Sequence, residues 1–222
     1  MYISWLGHSC FKFEDKVNNN NVVVVTDPYD SKEVGLHLTK TKSDIVTVSH
    51  FHPDHCFVEA IGGTEEKKEP MVFDRPGEYE TKGVFVNGIG SYHDKKEGAE
   101  RGKSTMFIFH INGLSILHLG DLGTTLSDVQ LEKIGDVDIL LIPIGGKYTI
   151  DSKEAAEVVK QVEPRIVIPM HYKIDGVTIK DLDTVDKFKK EMGNGGEVLP
   201  KLKITKKELL AEETKLVILE KV

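Results

Sequence analysis

Thiol chemistry is nearly absent from this chain: Cys10 and Cys56 are its two cysteines. Two are too few for a disulfide scaffold, so stability has to come from a packed core, and the simplest state is a pair of reduced thiols. No run of eighteen or more apolar residues occurs, and Met1-Tyr2-Ile3-Ser4-Trp5 has no basic stretch leading into an apolar one. The expectation is a soluble, cytoplasmic protein with no membrane span and no secretory leader. Positive charge is in deficit as well. Lys+Arg number 29 against 36 Asp+Glu, a net charge of -7, which argues against general attraction to nucleic-acid backbones without excluding a nuclease. Repeats and long low-complexity linkers are also missing, so nothing marks a boundary. With 222 residues and 39% hydrophobic composition the chain can bury a full core, and one domain over 1–222 is the simplest count.

What is present in excess is histidine in one place. The run His50-Phe51-His52-Pro53-Asp54-His55 directly follows the apolar Ile45-Val46-Thr47-Val48. It puts three imidazoles and a carboxylate at the end of a strand. Neutral imidazole and carboxylate oxygen are the non-thiol ligands of Zn²⁺ and similar borderline cations, and core packing asks for no such cluster.

A metal held by one loop is poorly oriented, so ligands are expected at the ends of other strands. Three such endings occur. Val84–Tyr92 leads into His93, Leu114–Gly120 into Asp121, and Arg165–Met170 into His171. A lone His or Asp after a strand is ordinarily a cap or turn residue; four ligand-type endings on different strands argue for one shared site in the crevice at the strands' carboxyl ends.

With His50-x-His52-x-Asp54-His55 followed in order by His93, Asp121 and His171, the chain resembles the metallo-β-lactamase superfamily of binuclear metal hydrolases. The resemblance runs from Trp5-Leu6-Gly7-His8-Ser9 through Gly120-Asp121-Leu122-Gly123 to Ile168-Pro169-Met170-His171-Tyr172. It is similar above all to the short zinc-dependent hydrolases related to ascorbate-6-phosphate lactonases, which share the N-terminal Gly-His-Ser. That branch often has a histidine after Gly-Asp-Leu-Gly, where this chain has Thr124. The resemblance implies an α+β fold, the four-layer αββα sandwich.

Along the chain, Tyr2 to Phe13 and Val22 to Thr26 read as strands of a hairpin joined by the turn-rich 14–21. Val22-Val23-Val24-Val25, β-branched on both faces, suits a strand covered on both sides and delivers Asp27-Pro28 to its end. Further strands are expected near 45–48, 71–73, 84–89, 104–111, 114–119 and 139–144. Ser127-x-x-Gln130 and Asp151-x-x-Glu154 have capping-box spacing and open helices ending near Gly135 and Val162. A third helix spans Asp183 to Met192, stopped by Gly193-Asn194-Gly195-Gly196. The tail from Lys201 to Lys221, with its Leu-Leu and Val-Ile-Leu runs, reads as a helix or strand packing the last edge or meeting a second subunit, so a homo-oligomer stays open.

His50 and His52, two apart in extended chain, point to one side and with His93 offer three nitrogens to a first metal. Pro53 suits the first turn of a helix, on which Asp54 and His55 aim at a second position completed by His171. Asp121, with two oxygens, is the natural bridge. The expected cofactor is two divalent ions, Zn²⁺ with Mn²⁺ or Fe²⁺ as alternatives, roughly 3.5–4 Å apart and activating water at neutral pH. With two carboxylates and one hydroxide the site sits near a formal +1, favouring a small-molecule, anionic substrate. Asp54 and His8 are the candidate catalytic residues, Asp54 as proton acceptor. Asp27 is expected to orient a ligand histidine, His118 to be packed behind the site, and His37 and His110 to be bystanders. Cys56 reads as a small buried helix residue rather than a ligand. Lys147, Tyr148, Tyr172 and Glu78 flank strand ends and stay open as substrate contacts, as do the loops 93–104 and 172–182.

The favoured function is a metal-dependent hydrolase of a small ester, lactone, amide or phosphodiester. A nucleic-acid processing nuclease of the same superfamily is the first alternative; such enzymes generally add a clamping domain, for which 222 residues leave no room. A non-catalytic metal or redox module is the second.

Overall fold

In the computed structural model, which describes residues 1–65, 69–193, 195–209 and 213–222, the chain alternates short strands with four helices. The first half carries β1 (Tyr2–Gly7), β2 (Cys10–Val17), β3 (Asn20–Thr26), α1 (Ser31–Val34), β4 (Thr41–Ser43), β5 (Ile45–Thr47), β6 (Ile61–Gly63), β7 (Met71–Phe73), β8 (Gly77–Thr81), β9 (Val84–Tyr92) and β10 (Lys103–Ile111). Then follow β11 (Leu114–His118), α2 (Asp128–Ile134), β12 (Ile139–Pro143), α3 (Ser152–Val162), β13 (Ile166–Met170), α4 (Val185–Glu191), β14 (Glu197–Leu199), β15 (Leu202–Lys203) and β16 (Lys215–Leu219).

Two mixed sheets form, in the orders β15-β1-β2-β3-β5-β7 and β14-β16-β13-β12-β11-β10-β9-β8. They face each other across one apolar layer. Phe13 of the first sheet meets Phe109 of the second edge to face at 5.2 Å, and Ile3, Phe11, Ile116, Leu140 and Val167 are fully buried in the same core. Val22 and Val24 face that layer; Val25 turns to the other side, where Val34 of α1, Tyr29 and Val46 cover it. The β-branched run is therefore buried on both faces, as its composition requires. Helix α3 buries Ala155, Val158 and Val159 against the second sheet. This is the expected αββα sandwich, with a thin outer layer on the first sheet because α1 has only 4 residues.

The topology brings the chemistry to one edge. Strands β1 and β3 are each antiparallel to β2, and β5 is parallel to β3. In the other sheet β11, β12 and β13 are parallel, and β9 shares their direction because both β9 and β11 are antiparallel to β10. The ends of β1, β3, β5, β9, β11 and β13, carrying His8, Asp27, His50, His93, Asp121 and His171, therefore open on the same rim.

Both capping boxes form, Ser127 with Gln130 and Asp151 with Glu154. Three expectations change. The segment Tyr2 to Phe13 is two strands folded at His8-Ser9, since Gly7 takes φ +109 and His8 φ 52, so the chain reverses where a single strand was expected. No α-helix starts at Pro53; a 3-10 turn forms only later, at Val58–Ala60. His55 N–H bonds the His52 carbonyl at 2.8 Å in a single turn, and Phe57 N–H is then drawn to the Pro28 carbonyl at 2.7 Å, which leads the chain away before a second turn can close. Cys56 accordingly lies in half-buried coil, not in a helix. The tail supplies strands, β16 inside the second sheet and β15 at the edge of the first. Asn194 and Leu210, in the expected helix stop and tail, lie outside the described residues. Among the described residues no helix is long and apolar enough to cross a membrane.

Candidate metal centre

The expected ligands meet. His8, Asp54, His55 and His171 form one donor group, His50, His52 and His93 a second, and His50, His55 and Asp121 a third that joins them, each with its donor atoms within 4.8 Å of one another. Asp121 Oδ2 is the hub: His55 Nε2, His93 Nε2 and His171 Nε2 each stand 3.3 Å from it, and His50 Nε2 stands 4.0 Å away.

These approaches are not ordinary hydrogen bonds. His55 Nε2, His171 Nε2 and Asp121 Oδ1 are buried with no hydrogen-bond partner among the described residues, and orphaned buried polar atoms are costly unless something else satisfies them. Two atoms bound at about 2.0–2.1 Å to one tetrahedral zinc lie roughly 3.3–3.4 Å apart. The spacing around Asp121 is that of ligand pairs facing a shared cation, so the residues fit a metal.

The backbone holds them there at some conformational cost. His8 (φ 52), Asp27 (φ 37) and His171 (φ 52) all sit in the left-handed region, which residues other than glycine rarely adopt. Their strand ends are tied together: the His8 carbonyl accepts from Trp5 Nε1 at 2.9 Å and from His171 N–H at 3.1 Å. A side chain at Gly145 would run into the carbonyl of His171, so only glycine lets the chain leaving β12 pass so close beneath that ligand.

Behind the donors, Asp27 sets their orientation, as the sequence led us to expect for one ligand. It does so for two. His55 Nδ1 donates to Asp27 Oδ2 at 2.9 Å, so in the neutral ring Nε2 carries the free lone pair. Ser49 donates its N–H to Oδ1 at 2.8 Å and its hydroxyl to Oδ2 at 2.6 Å. With its only proton spent, Ser49 Oγ can only accept from His50 Nδ1, 3.0 Å away, and that fixes the His50 tautomer with Nε2 free as well. Ser49 was not among the sequence candidates; its one signal is a small hydroxyl immediately before the first ligand. His118 is packed as expected, donating to the Ser9 carbonyl at 2.8 Å and accepting from Gly120 N–H at 3.1 Å. His37 and His110 are exposed and away from the cluster.

The electrostatics suit cation binding. Burial, reinforced by His171, lowers His8 to about 4, and burial with the neighbouring His55 lowers His50 to about 3. His93 is lowered too, first by burial. Burial alone would raise the carboxyls, yet His55 and the His8 hydrogen bond outweigh it at Asp54, and His171 with His55 outweigh it at Asp121, so both stay below the usual carboxylate range. His55 runs the other way: against the cost of burial, Asp121 and Asp54 hold it raised. Most of the donors therefore stand in the deprotonated form that a metal requires.

His8 Nε2–H donates to Asp54 Oδ2 at 3.2 Å, and its ring centroid is 4.0 Å from that of His171. His8 thus lies against the donor set itself. Of the open substrate contacts, Tyr172 is only 3% exposed and stacks on Trp5 with centroids 5.1 Å apart, so it belongs to the core. Glu78 is exposed on the edge strand β8, paired with Asn87. Lys147 reaches Asp181 at 3.5 Å, and Tyr148 is half-buried beneath Arg101. A cleft of about 970 Å³ opens beside Ser49, His50 and the 70% exposed Phe51, walled by Arg75, Lys103 and Gln130.

Comparisons with known proteins identify the family and the fold. The family model described as Beta-lactamase superfamily domain matches residues 2–171. The UPF0173 metal-dependent hydrolase of Pyrococcus abyssi is 30% identical over 225 residues, covering 89% of this chain and 94% of the relative. Among solved structures, a proposed Zn-dependent hydrolase of the metallo-beta-lactamase superfamily from Thermotoga maritima is 35% identical with a TM-score of 0.77, covering 98% of this chain and 97% of that one. Igni18, a metallo hydrolase from Ignicoccus hospitalis, shares the fold with a TM-score of 0.64 at 21% identity, over 86% of this chain and 90% of its own.

Proposed function

The chain belongs to the beta-lactamase superfamily, among the UPF0173 metal-dependent hydrolases, and from that premise we propose that it works with two divalent metal ions, zinc first among them, on a small anionic ester, lactone or phosphodiester. The observation that carries this is the convergence of three imidazole nitrogens on Asp121 Oδ2 at 3.3 Å, two of which, His55 Nε2 and His171 Nε2, are buried with no hydrogen-bond partner among the described residues. In this reading His50, His52 and His93 hold one ion, Asp54, His55 and His171 hold the other, and Asp121 lies between. Imidazole and carboxylate donors without thiolate suit zinc, and Mn²⁺ or Fe²⁺ next. Gly7-His8-Ser9, the segment on which the sequence resembles ascorbate-6-phosphate lactonases, runs into this site, since His8 lies against Asp54 and His171, and this favours a lactone or similar ester as substrate.

Such a pair of ions, when bound, supplies a nucleophilic water at neutral pH and polarises the carbonyl or phosphoryl oxygen of the substrate. The protein's own residues do the rest. Asp27 and Ser49 hold His50 and His55 in one tautomer. Asp54, anionic and with a side chain 25% exposed toward the open side, accepts the proton that the attacking water gives up. His8, buried and neutral, keeps Asp54 in place through Nε2–H.

Protein stripped with a chelator and reconstituted with excess zinc is expected to carry two ions per chain by elemental analysis; one or none would overturn the two-ion assignment. The loaded protein is expected to hydrolyse at least one class in a screen of lactones, phosphodiesters and thioesters, with activity lost on stripping and regained on adding zinc. Inactivity against all of them would count against a hydrolase. Asp27→Asn, which keeps the shape of the side chain but removes the charge that orients His55 and His50, is expected to weaken zinc binding about 10–100-fold. Competition against a chelator of known affinity measures this, and an unchanged affinity would remove Asp27 from the site.

A further inference from the structure

The loop that follows His93 is wound around a single carboxylate. Asp94 Oδ1 accepts from Lys96 N–H at 2.7 Å and Gly98 N–H at 3.0 Å, and Oδ2 accepts from Glu100 N–H at 3.0 Å and Arg101 N–H at 2.8 Å. These bonds fix the backbone of Arg101. Its side chain then crosses to the neighbouring loop, where the guanidinium lies 5.6 Å from the centre of the Tyr148 ring. Tyr148 belongs to the segment 145–150 that packs beneath His171, and Ile150 N–H bonds the Leu122 carbonyl at 2.9 Å, next to Asp121. Arg101 thus spans the seam between the loop of one expected ligand and the loop supporting another, on the rim where the strand ends open.

The other cations of these two loops are already engaged. Lys95 pairs with Glu154, Lys96 with Glu100 at 2.6 Å, and Lys147 with Asp181 at 3.5 Å. Arg101 is half-buried, and among the described residues no carboxylate or carbonyl meets its guanidinium. A planar fork of five N–H donors, set over an aromatic ring and partly shielded from water, matches the geometry of a phosphate or carboxylate.

We propose that Arg101, braced on Tyr148, is the specificity-determining residue that binds an oxyanion group, phosphate or carboxylate, on the non-reacting end of the substrate. The inference rests on the metal-dependent hydrolase reading for the reacting end, and it extends that reading by naming where the negative charge of the substrate is recognised. A bidentate charge-assisted contact of this kind is worth about a tenfold to hundredfold difference in affinity.

The test uses full-length, zinc-loaded protein and its Arg101→Gln and Arg101→Lys variants, checked for equal zinc content and comparable thermal transitions. By calorimetry, Arg101→Gln is expected to bind benzylphosphonate or phenylacetate at least about tenfold more weakly, with Arg101→Lys in between. A loss confined to the phosphonate assigns phosphate, and one confined to phenylacetate assigns carboxylate. In turnover, the ratio of kcat/KM for mono-4-nitrophenyl succinate over the uncharged 4-nitrophenyl butyrate is expected to fall at least about tenfold, through KM for the succinate ester. Tyr148→Phe keeps the ring and should behave as the parent; Tyr148→Leu should resemble Arg101→Gln. Unchanged affinity for both anions, or an unchanged preference between the two esters, would overturn the proposal and leave Arg101 as a brace between loops. If the loaded parent cleaves neither ester, that counts against the hydrolase reading, and the binding measurements still decide the role of Arg101.

Discussion

Asp121→Ala is expected to abolish turnover, by at least about a thousandfold, and to leave fewer than two zinc ions per chain. The carboxylate is 2% exposed, and its Oδ2 is the point that His55, His93 and His171 share at 3.3 Å. No other residue of the cluster faces both donor groups so closely, so removing it separates the two halves of the site and strips away a negative charge that offsets two dications. A cation pair acting as Lewis acid supplies several kcal/mol of transition-state stabilisation, which is the origin of the thousandfold figure. His37→Ala and His110→Ala, both at exposed positions outside the cluster, are the controls and should keep zinc content and rate. Elemental analysis and a rate measurement on the same preparation check the result. Two zinc ions and a near-parent rate in Asp121→Ala would mean that the convergence on this carboxylate is not the working centre.

The site was legible because its chemistry is written at strand ends. Alternation and β-branching locate β5, β9, β11 and β13, and each is followed within a few residues by a group with no packing reason to be there. What the pattern could not give are features that depend on partners distant in the chain. Ser49 looks like any small residue until Asp27, twenty-two positions earlier, is found beneath it. The hairpin at His8 carries no Asn-Gly or Asp-Gly signal; Gly7 takes φ +109, and a side chain there would meet Tyr29 Oη at 2.8 Å and Leu36 Cδ1 at 2.9 Å, so the need for glycine at this reversal shows only in tertiary packing. Pro53 at the start of a turn favours helix locally, but the bond from Phe57 N–H to the Pro28 carbonyl draws the chain away. The strands β4, β6 and β14 span 3 residues each, and their pairing, β4 with β6 in a small sheet of their own and β14 at the edge of the second sheet, is set by partners distant in the chain rather than by propensity. The wrapped loop after His93 is of the same kind, since one aspartate collecting four amides leaves no periodic trace.

For Asp54 the structural and catalytic readings separate most cleanly. Its side chain is 25% exposed, and its close partners are His8 Nε2 at 3.2 Å and His55 Nε2 at 3.6 Å, so little of the core depends on it. Asp54→Asn keeps an oxygen to accept from His8 but removes the negative charge and the capacity to take a proton. At saturating zinc, so that lost occupancy does not itself lower stability, the thermal transition should fall by less than about 4 °C, equivalent to roughly 1 kcal/mol in a chain of this length. Turnover should fall at least about a hundredfold, because a positioned proton acceptor contributes typically 10²–10⁴-fold. Titrating zinc into the variant separates the two tasks assigned to this carboxylate. If the loss comes from poorer metal holding alone, excess zinc restores the rate and Asp54 is removed as the proton acceptor. If the variant is loaded and folded yet still slow, the missing step is proton acceptance. A loaded, folded Asp54→Asn protein turning over at the parent rate would sink the mechanism, because no other carboxylate of the cluster reaches the open side of the site.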